Sequence, residues 1–264
     1  MTGHSFAVAA AVYCHIGGNR SNNEDNYYLN GIWKKLEFQN CNCRQVCSAV
    51  QPALFAVCDG MGGQQHGEVA SLLAVSWLHQ YRADFLSGPQ PKADGTGRLV
   101  RMSQQLWEAC QTRGIHMGST VVAAALREDS AYLYGLGDSR AYLMDETGLQ
   151  QLTQDHTMAA EAEYIGLTGG RSLPATDPRS HQLTQYFGMD CREYDPTPCC
   201  CRVPLRMGQR FLLCSDGLSD SLSPQLLGMA LGYSTPADSA RALVATALEQ
   251  GAADNITAIV LEIV

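Results

Sequence analysis

Five aspartates stand where apolar runs give way to turns. Asp25 lies in RSNNEDNYYL, Asp59 in FAVCDGMGG, Asp138 in LYGLGDSRAYL, Asp216 in RFLLCSDGLSD and Asp254 in GAADNITAIV. A turn role explains any one of them, because Asp bonds readily to nearby backbone. Five together ask for more. Carboxylates gathered at strand ends repel unless a cation sits among them, and no Lys or Arg cluster accompanies these five. Oxygen ligands without His or Cys companions select Mg²⁺ or Mn²⁺ over Zn²⁺. Two such ions can share one water, lower its pKa and aim it at phosphorus. Gly60 then acquires a use: without a Cβ, its backbone can approach an ion and offer a carbonyl. Gly62 and Gly63 turn the chain into a helix, and Met61 reads as packing.

The elements that must position these residues follow from periodicity. Apolar, β-rich runs predict strands near 5–14, 26–30, 53–58, 119–126, 131–137, 140–144, 203–214 and 256–263. Helical spacing predicts helices at 66–84, 98–112, 155–164, 224–231 and 236–250. Ser223-Pro224 and Thr235-Pro236 are helix starts, a capping hydroxyl before a first-turn proline. The segment 87–97 reads as a polar loop, and 165–200 carries no clear pattern. Consecutive strands with short turns are antiparallel, and helix pairs must cover a sheet face. The expectation is one α+β domain over 1–264, built on a large antiparallel sheet system.

Composition narrows the class. A net charge of −8 over 264 residues argues against a nucleic-acid binder and against docking on anionic membranes. No stretch reaches the roughly 20 apolar residues of a membrane span. The first residues lack the basic start of a signal peptide and read as a strand. Eleven cysteines cannot pair completely, and a chain this long needs no disulfide staples; reduced thiols in the cytoplasm are expected.

Seven segments, RSNNEDN, FAVCDGMGG, MGSTVVAAAL, LGDSRAYL, LTQDHT, LLCSDGLSD and DNITAIV, resemble in order and spacing the PP2C-type (PPM) serine/threonine phosphatases. The DGMGG and DGLSD forms resemble the bacterial branch, whose members often oppose Hanks-type kinases. The resemblance runs from about residue 8 to the end. It implies a four-layer α/β/β/α sandwich holding a binuclear Mg²⁺/Mn²⁺ centre, with a flap at about 160–185. It implies that Asp59 bridges both metals and the Gly60 carbonyl ligates one. Asp216 and Asp254 complete the other shell, Asp25 acts largely through waters, and Asp138 serves a third, weaker metal. Arg20 matches the arginine that clamps the substrate phosphate, a role that suits its planar fork of donors. The implied reaction is attack of a metal-bridged hydroxide on phosphoserine or phosphothreonine, with no phosphoenzyme. Phosphorylated proteins are the implied partners, and a monomer is expected. A second reading is a catalytically weak regulatory module that binds phosphoproteins.

The chain departs from the family twice. Eukaryotic members carry His directly after the DG pair, where this chain has Met61. Bacterial members usually have His where this chain has Gln64, with His66 two residues on. No catalytic acid is assigned, and His66 reads as a first-turn surface residue. CHIGGNRS, 14–21, fits the Cys-x5-Arg-Ser pattern of cysteine-dependent phosphatases, but that chemistry wants a loop that opens a helix. Here the loop leads into a strand, so Cys14 with Arg20 is a remote alternative. Six cysteines in CNCRQVC (41–47) and PCCC (198–201) could hold zinc, though their spacing is not the paired Cys-x2-Cys of structural sites. Ordinary thiols on peripheral strands are the simpler reading. Asp155 and His156 lie in a segment that resembles LTxDHS and read as structural. DPRSHQLTQYFG, 177–188, resembles the tail of the insert and carries no assigned chemistry.

Overall fold

The structure, a computed structural model, describes residues 6–38, 42–62, 66–164, 166, 173, 177–192 and 195–264. Gly63, Gln64, Cys41 and, in the expected flap, residues 165, 167–172 and 174–176 lie outside the described residues.

Strands form two antiparallel sheets. The first joins β1 (Ala7–His15), β4 (Cys43–Val50), β9 (Arg140–Asp145), β10 (Gly148–Gln151), β12 (Arg210–Cys214) and β13 (Ile256–Ile263), in the order β10-β9-β12-β13-β1-β4. The second joins β2 (Asp25–Leu29), β3 (Ile32–Trp33), β5 (Ala53–Met61), β7 (Val121–Arg127), β8 (Ser130–Leu136) and β11 (Cys199–Pro204), in the order β11-β8-β7-β5-β2-β3. The two-residue β6 (Gly118–Ser119) pairs with the end of β5. Helices α1 (Gly67–Gln80), α2 (Arg82–Leu86) and α3 (Pro91–Arg113) cover the second sheet. Helix α4 (Met158–Tyr164) leads into the flap region, and α5 (Asp216–Ser219) is a single turn. Helices α6 (Pro224–Leu231) and α7 (Pro236–Glu249) cover the first sheet.

Side-chain alternation builds the four layers. On β5, Phe55 and Val57 enter the core between the sheets, while Leu54, Ala56 and Cys58 face the helices. On β13, Ile259, Leu261 and Ile263 face inward, and Ala258 and Val260 pack under α6 and α7. A strand covered on both faces has no polar row, which is why β5 and β13 read as continuous apolar runs.

Several boundaries differ from the sequence expectation. The run 203–214 is two strands, separated by an exposed turn at Arg206–Gly208. The tract 87–97 is not a loop throughout: α3 begins at Pro91, and the Asp94 carboxylate accepts from the Gln90 N–H. Gly95 lies within that helix against Tyr134, where a Cβ would come within 2.4 Å of the ring. Strand β4 was not expected. Its side chains are mostly exposed, so it has no apolar period to read.

Candidate metal centre

The inward rows of both sheets turn polar at one shared end. Following the alternation, Tyr27 leads to Asp25, Val57 to Asp59, Val122 to Thr120, Ala141 to Ser139, Leu213 to Ser215 and Ile259 to Thr257. Asp25 and Asp59 face each other in the register of β2 and β5. A buried pocket of carboxylates therefore caps the sandwich core.

Each carboxylate is held from its own strand end. Asp25 is fully buried; its Oδ2 accepts from Ser215 Oγ and Thr257 Oγ1, both at 2.7 Å. Its Oδ1 has no partner among the described residues, and neither does Asp216 Oδ1. Around Asp59 the backbone is fixed: its N–H donates to Thr120 Oγ1 (3.0 Å) and its carbonyl accepts from the Thr120 N–H (2.8 Å). Asp216 opens α5 directly after Ser215. A Cβ on the adjoining Gly217 would stand 2.1 Å from the Asn255 carbonyl, so only Gly lets α5 sit this close to β13. Asp138 follows Gly137, whose φ of +106° favours glycine.

Electrostatics mark the pocket as built for cations. Burial, then the neighbouring carboxylates, raises Asp59 well above the ordinary range. Burial raises Asp25 to about 6, and burial with Asp216 and Asp155 raises Asp138 to about 8. Asp216 is raised chiefly by burial, then by the charges of Asp220 and Asp254. Carboxylates crowded in this way repel unless protons or a cation sit among them. Unpartnered buried oxygens, raised carboxyls and an all-oxygen donor set fit hard divalent ions. The side chains are not closed around a point: among the described residues no three His, Cys, Asp or Glu groups converge as a ligand set. Asp254 accounts for part of this, since its Oδ2 accepts from Arg20 Nη2 at 2.7 Å.

That ion pair belongs to a docking of two loops. Gly18 and Asn19 donate to the Ala252 and Ala253 carbonyls, and Asn255 Nδ2 donates to the carbonyls of Ile16 and Asn22. Gly17 has φ of +86°, and a Cβ there would be 1.9 Å from the Asp254 carbonyl oxygen. The loop places Arg20, half-exposed, on the rim of the pocket. Packing also requires a glycine at position 60. A Cβ would meet the Gly67 carbonyl at 2.0 Å and the Glu24 carbonyl at 2.7 Å, so the end of β5 is wedged between α1 and the Arg20 loop.

Other expectations divide. Cys14 is buried on β1, its thiol is raised by burial, and its Sγ accepts from Asn23 Nδ2 at 3.4 Å. The following loop enters a strand, so the geometry of a cysteine nucleophile is missing. Cys43 and Cys47 lie on edge strand β4 and Cys199–Cys201 on edge strand β11. Because β1 packs on β2 and β9 on β8, these are opposite edges of the sandwich, too far apart for one zinc site. His156 is structural: buried, its Nδ1 accepts the Gly137 N–H at 3.1 Å. Asp155 makes three contacts with Arg140, of 2.6–3.1 Å. His66 occupies the N-cap of α1 without a side-chain capping bond.

Sequence reasoning missed several supporting groups. Lys34 is 4% exposed, donates from Nζ to the Asn23 carbonyl at 3.0 Å, and places a cation near Asp25 and Cys14. Its position in GIWKKLE gives no sign of burial. Asp220, one turn after Asp216, meets His181 Nδ1 at 3.2 Å and lies 4.0 Å from Arg140.

Residues 42–255 match the family model described as protein phosphatase 2C. The serine/threonine protein phosphatase PstP of Mycobacterium tuberculosis is 32% identical over 212 residues, covering 80% of this chain and 40% of that protein. The chain thus spans well under half the length of the PstP relatives it matches. The serine/threonine phosphatase stp of Listeria monocytogenes is 27% identical, covering 93% of this chain and 92% of that protein. Among solved structures, the catalytic domain of PstP with two manganese ions is 28% identical, with a TM-score of 0.77 over 98% of this chain and 99% of that one. PppA, described as a key regulatory component of the type VI secretion system (T6SS) of Pseudomonas aeruginosa, is 27% identical, with the same score over 99% and 100%. The family match covers most of the chain, and the sheet order delivers all five aspartates to one end of one sandwich: the chain belongs to the protein phosphatase 2C family.

Proposed function

We propose that the chain is a metal-dependent protein serine/threonine phosphatase of the bacterial type, acting on phosphoserine and phosphothreonine in proteins. The observation that carries this reading is the buried carboxylate set, with unpartnered oxygens on Asp25 and Asp216, set beside an arginine at the rim. Asp59, the Gly60 carbonyl, Asp216 and Asp254 would hold two divalent ions, with Asp25 acting partly through water and Asp138 serving a third. When bound, the ions supply an activated water and countercharge for the phosphoryl oxygens. Mn²⁺ is the preferred reading over Mg²⁺, supported by the manganese found in the PstP structure.

The protein's own groups divide the remaining work. Ser215 and Thr257 fix the Asp25 carboxylate, and Thr120 fixes the Asp59 backbone. Arg20 leaves Asp254 to take two oxygens of the substrate phosphate in a bidentate grip, and Asp254 is then free for an ion. This exchange couples substrate binding to metal binding. The family relationship supports phosphorylated proteins as substrates, and a Hanks-type kinase is the expected opposing enzyme. Among the described residues no helix is long and apolar enough to cross a membrane; a cytoplasmic monomer of one domain, with a flap at about 160–185, completes the reading.

Hydrolysis of p-nitrophenyl phosphate with Mn²⁺, with and without EDTA, tests it. No metal-dependent turnover in the folded protein would refute the enzyme. Retention of all five aspartates weighs against a purely regulatory module.

A further inference from the structure

We propose that His181, oriented by Asp220, donates the proton that the departing serine or threonine oxygen needs. The inference rests on the phosphatase reading above and adds a residue to it. A phosphoserine leaves as an alkoxide, a poor leaving group that is normally protonated as it departs. The chain has Met61 and Gln64 at the two positions where relatives carry a histidine, so the donor must come from elsewhere.

The described histidines can be sorted by their partners. His156 is buried with its Nδ1 committed to Gly137. His79 is bound to the Tyr28 hydroxyl at 2.9 Å, among aromatic rings beneath the helices. His15 accepts the Gly17 N–H at 2.9 Å. Neither His66 nor His116 has a carboxylate partner among the described residues. His181 alone joins exposure to a carboxylate: its side chain is 60% exposed, and Nδ1 meets Asp220 Oδ2 at 3.2 Å. A carboxylate on one ring nitrogen fixes the tautomer and turns the other nitrogen outward. Nε2 of His181 has no hydrogen-bond partner among the described residues.

Its location fits the task. Asp220 follows Asp216 by four residues across one helical turn, which sets the two on one side. The charge of Asp220 is felt at both Asp216 and Asp138. Burial raises Asp220, and Arg140, anchored on Asp155 and 4.0 Å from the same carboxylate, opposes that shift beside the ring. His181 thus stands at the tail of the flap region, against the carboxylate that ends the single turn opened by Asp216. In the step, a water oxygen bonds to phosphorus while the P–Oγ bond breaks. The bonding pair stays on Oγ, the His181 imidazolium gives Oγ its proton, and solvent reprotonates the ring.

The test compares leaving groups. p-Nitrophenolate departs without a proton; a serine alkoxide does not. For His181→Gln with saturating Mn²⁺, kcat on a phosphoserine peptide should fall about 100-fold, the lower range for general acid catalysis. The fall on p-nitrophenyl phosphate should be several-fold smaller. Asp220→Asn, which keeps the ring but frees it, should show the same selectivity with a smaller loss. Equal losses on both substrates would overturn the proposal, since they indicate damage to the centre. So would a selective loss in His66→Gln or His116→Gln in place of His181→Gln. A readout without turnover is the His181 ring signal in NMR on binding a phosphonate analogue of the peptide; an unperturbed ring would also overturn it. Absence of metal-dependent turnover in the parent protein on p-nitrophenyl phosphate marks failure of the phosphatase reading itself, and the proposal falls with it.

Discussion

Removing metal should reverse the direction in which pH affects stability. In the metal-free fold Asp25 is raised from 3.8 to about 6 and Asp138 to about 8, while the unfolded chain titrates near 3.8. A raised carboxyl contributes stability that is complete below the unfolded value and lost as pH rises through the folded one. The metal-free protein is therefore penalised at neutral pH and relieved by acid. Moving from about pH 7.5 to about pH 5, Asp25 returns about 1 kcal/mol and Asp138 about 3 kcal/mol, at about 1.4 kcal/mol per unit. His156 works against this: burial lowers its pKa, so its contribution is present above 6.5 and lost as pH falls below that. The net gain of a few kcal/mol should raise Tm by about 10 °C in a chain of this size. With Mn²⁺ bound the slope inverts, because protons then compete with the ions for the same oxygens. Scanning calorimetry in EDTA and in excess Mn²⁺ across that range measures both slopes. A metal-free Tm that stays flat or falls on acidification would refute the reasoning, and Asp138→Asn should flatten the slope.

Other outcomes follow from single contacts. Arg20→Ala should mainly raise KM for a phosphopeptide, and an unchanged KM in steady-state kinetics would contradict the clamp. Arg140→Met leaves Asp155 without its three contacts and should lower stability by about 2–3 kcal/mol, as for other hydrogen bonds to charge, in urea unfolding. Cys14→Ala should retain Mn²⁺-dependent turnover; loss of turnover with metal binding intact would restore the cysteine nucleophile. Gly217→Ala drives a Cβ to 2.1 Å from the Asn255 carbonyl and should separate α5 from β13, read as loss of both Mn²⁺ affinity and Tm.

The carboxylates were legible because turn residues beside continuous apolar runs are a strong local signal. Asp59 and Asp216 announce themselves by the strand that precedes each. What the sequence left hidden depends on the partner across the fold. Lys34 is buried only because Asn23 and Asn26 fold around it, and HKRDE patterns carry no trace of such a cradle. Asp220 and His181 are 39 positions apart and meet only because the flap tail crosses α5. Strand β4 was invisible because an exposed edge needs no apolar row, and the start of α3 because its first turns are polar and glycine-bearing. The packing need at Gly60 was also hidden: the neighbours of a Cβ there are the Gly67 and Glu24 carbonyls, far apart in the sequence.

The docking of the Arg20 loop onto residues 252–255 also has a consequence for synthesis. Asp254 is the last of the five aspartates to be made, and β13, which follows it, separates β1 from β12 in the first sheet. A ribosome-bound chain short of β13 lacks the strand that joins the two halves of that sheet. It also lacks Thr257, one of the two hydroxyls that hold Asp25, and Asn255, which ties down the arginine loop. No fragment ending before β13 can assemble the pocket. Assembly of the pocket is therefore deferred until β13 has left the exit tunnel.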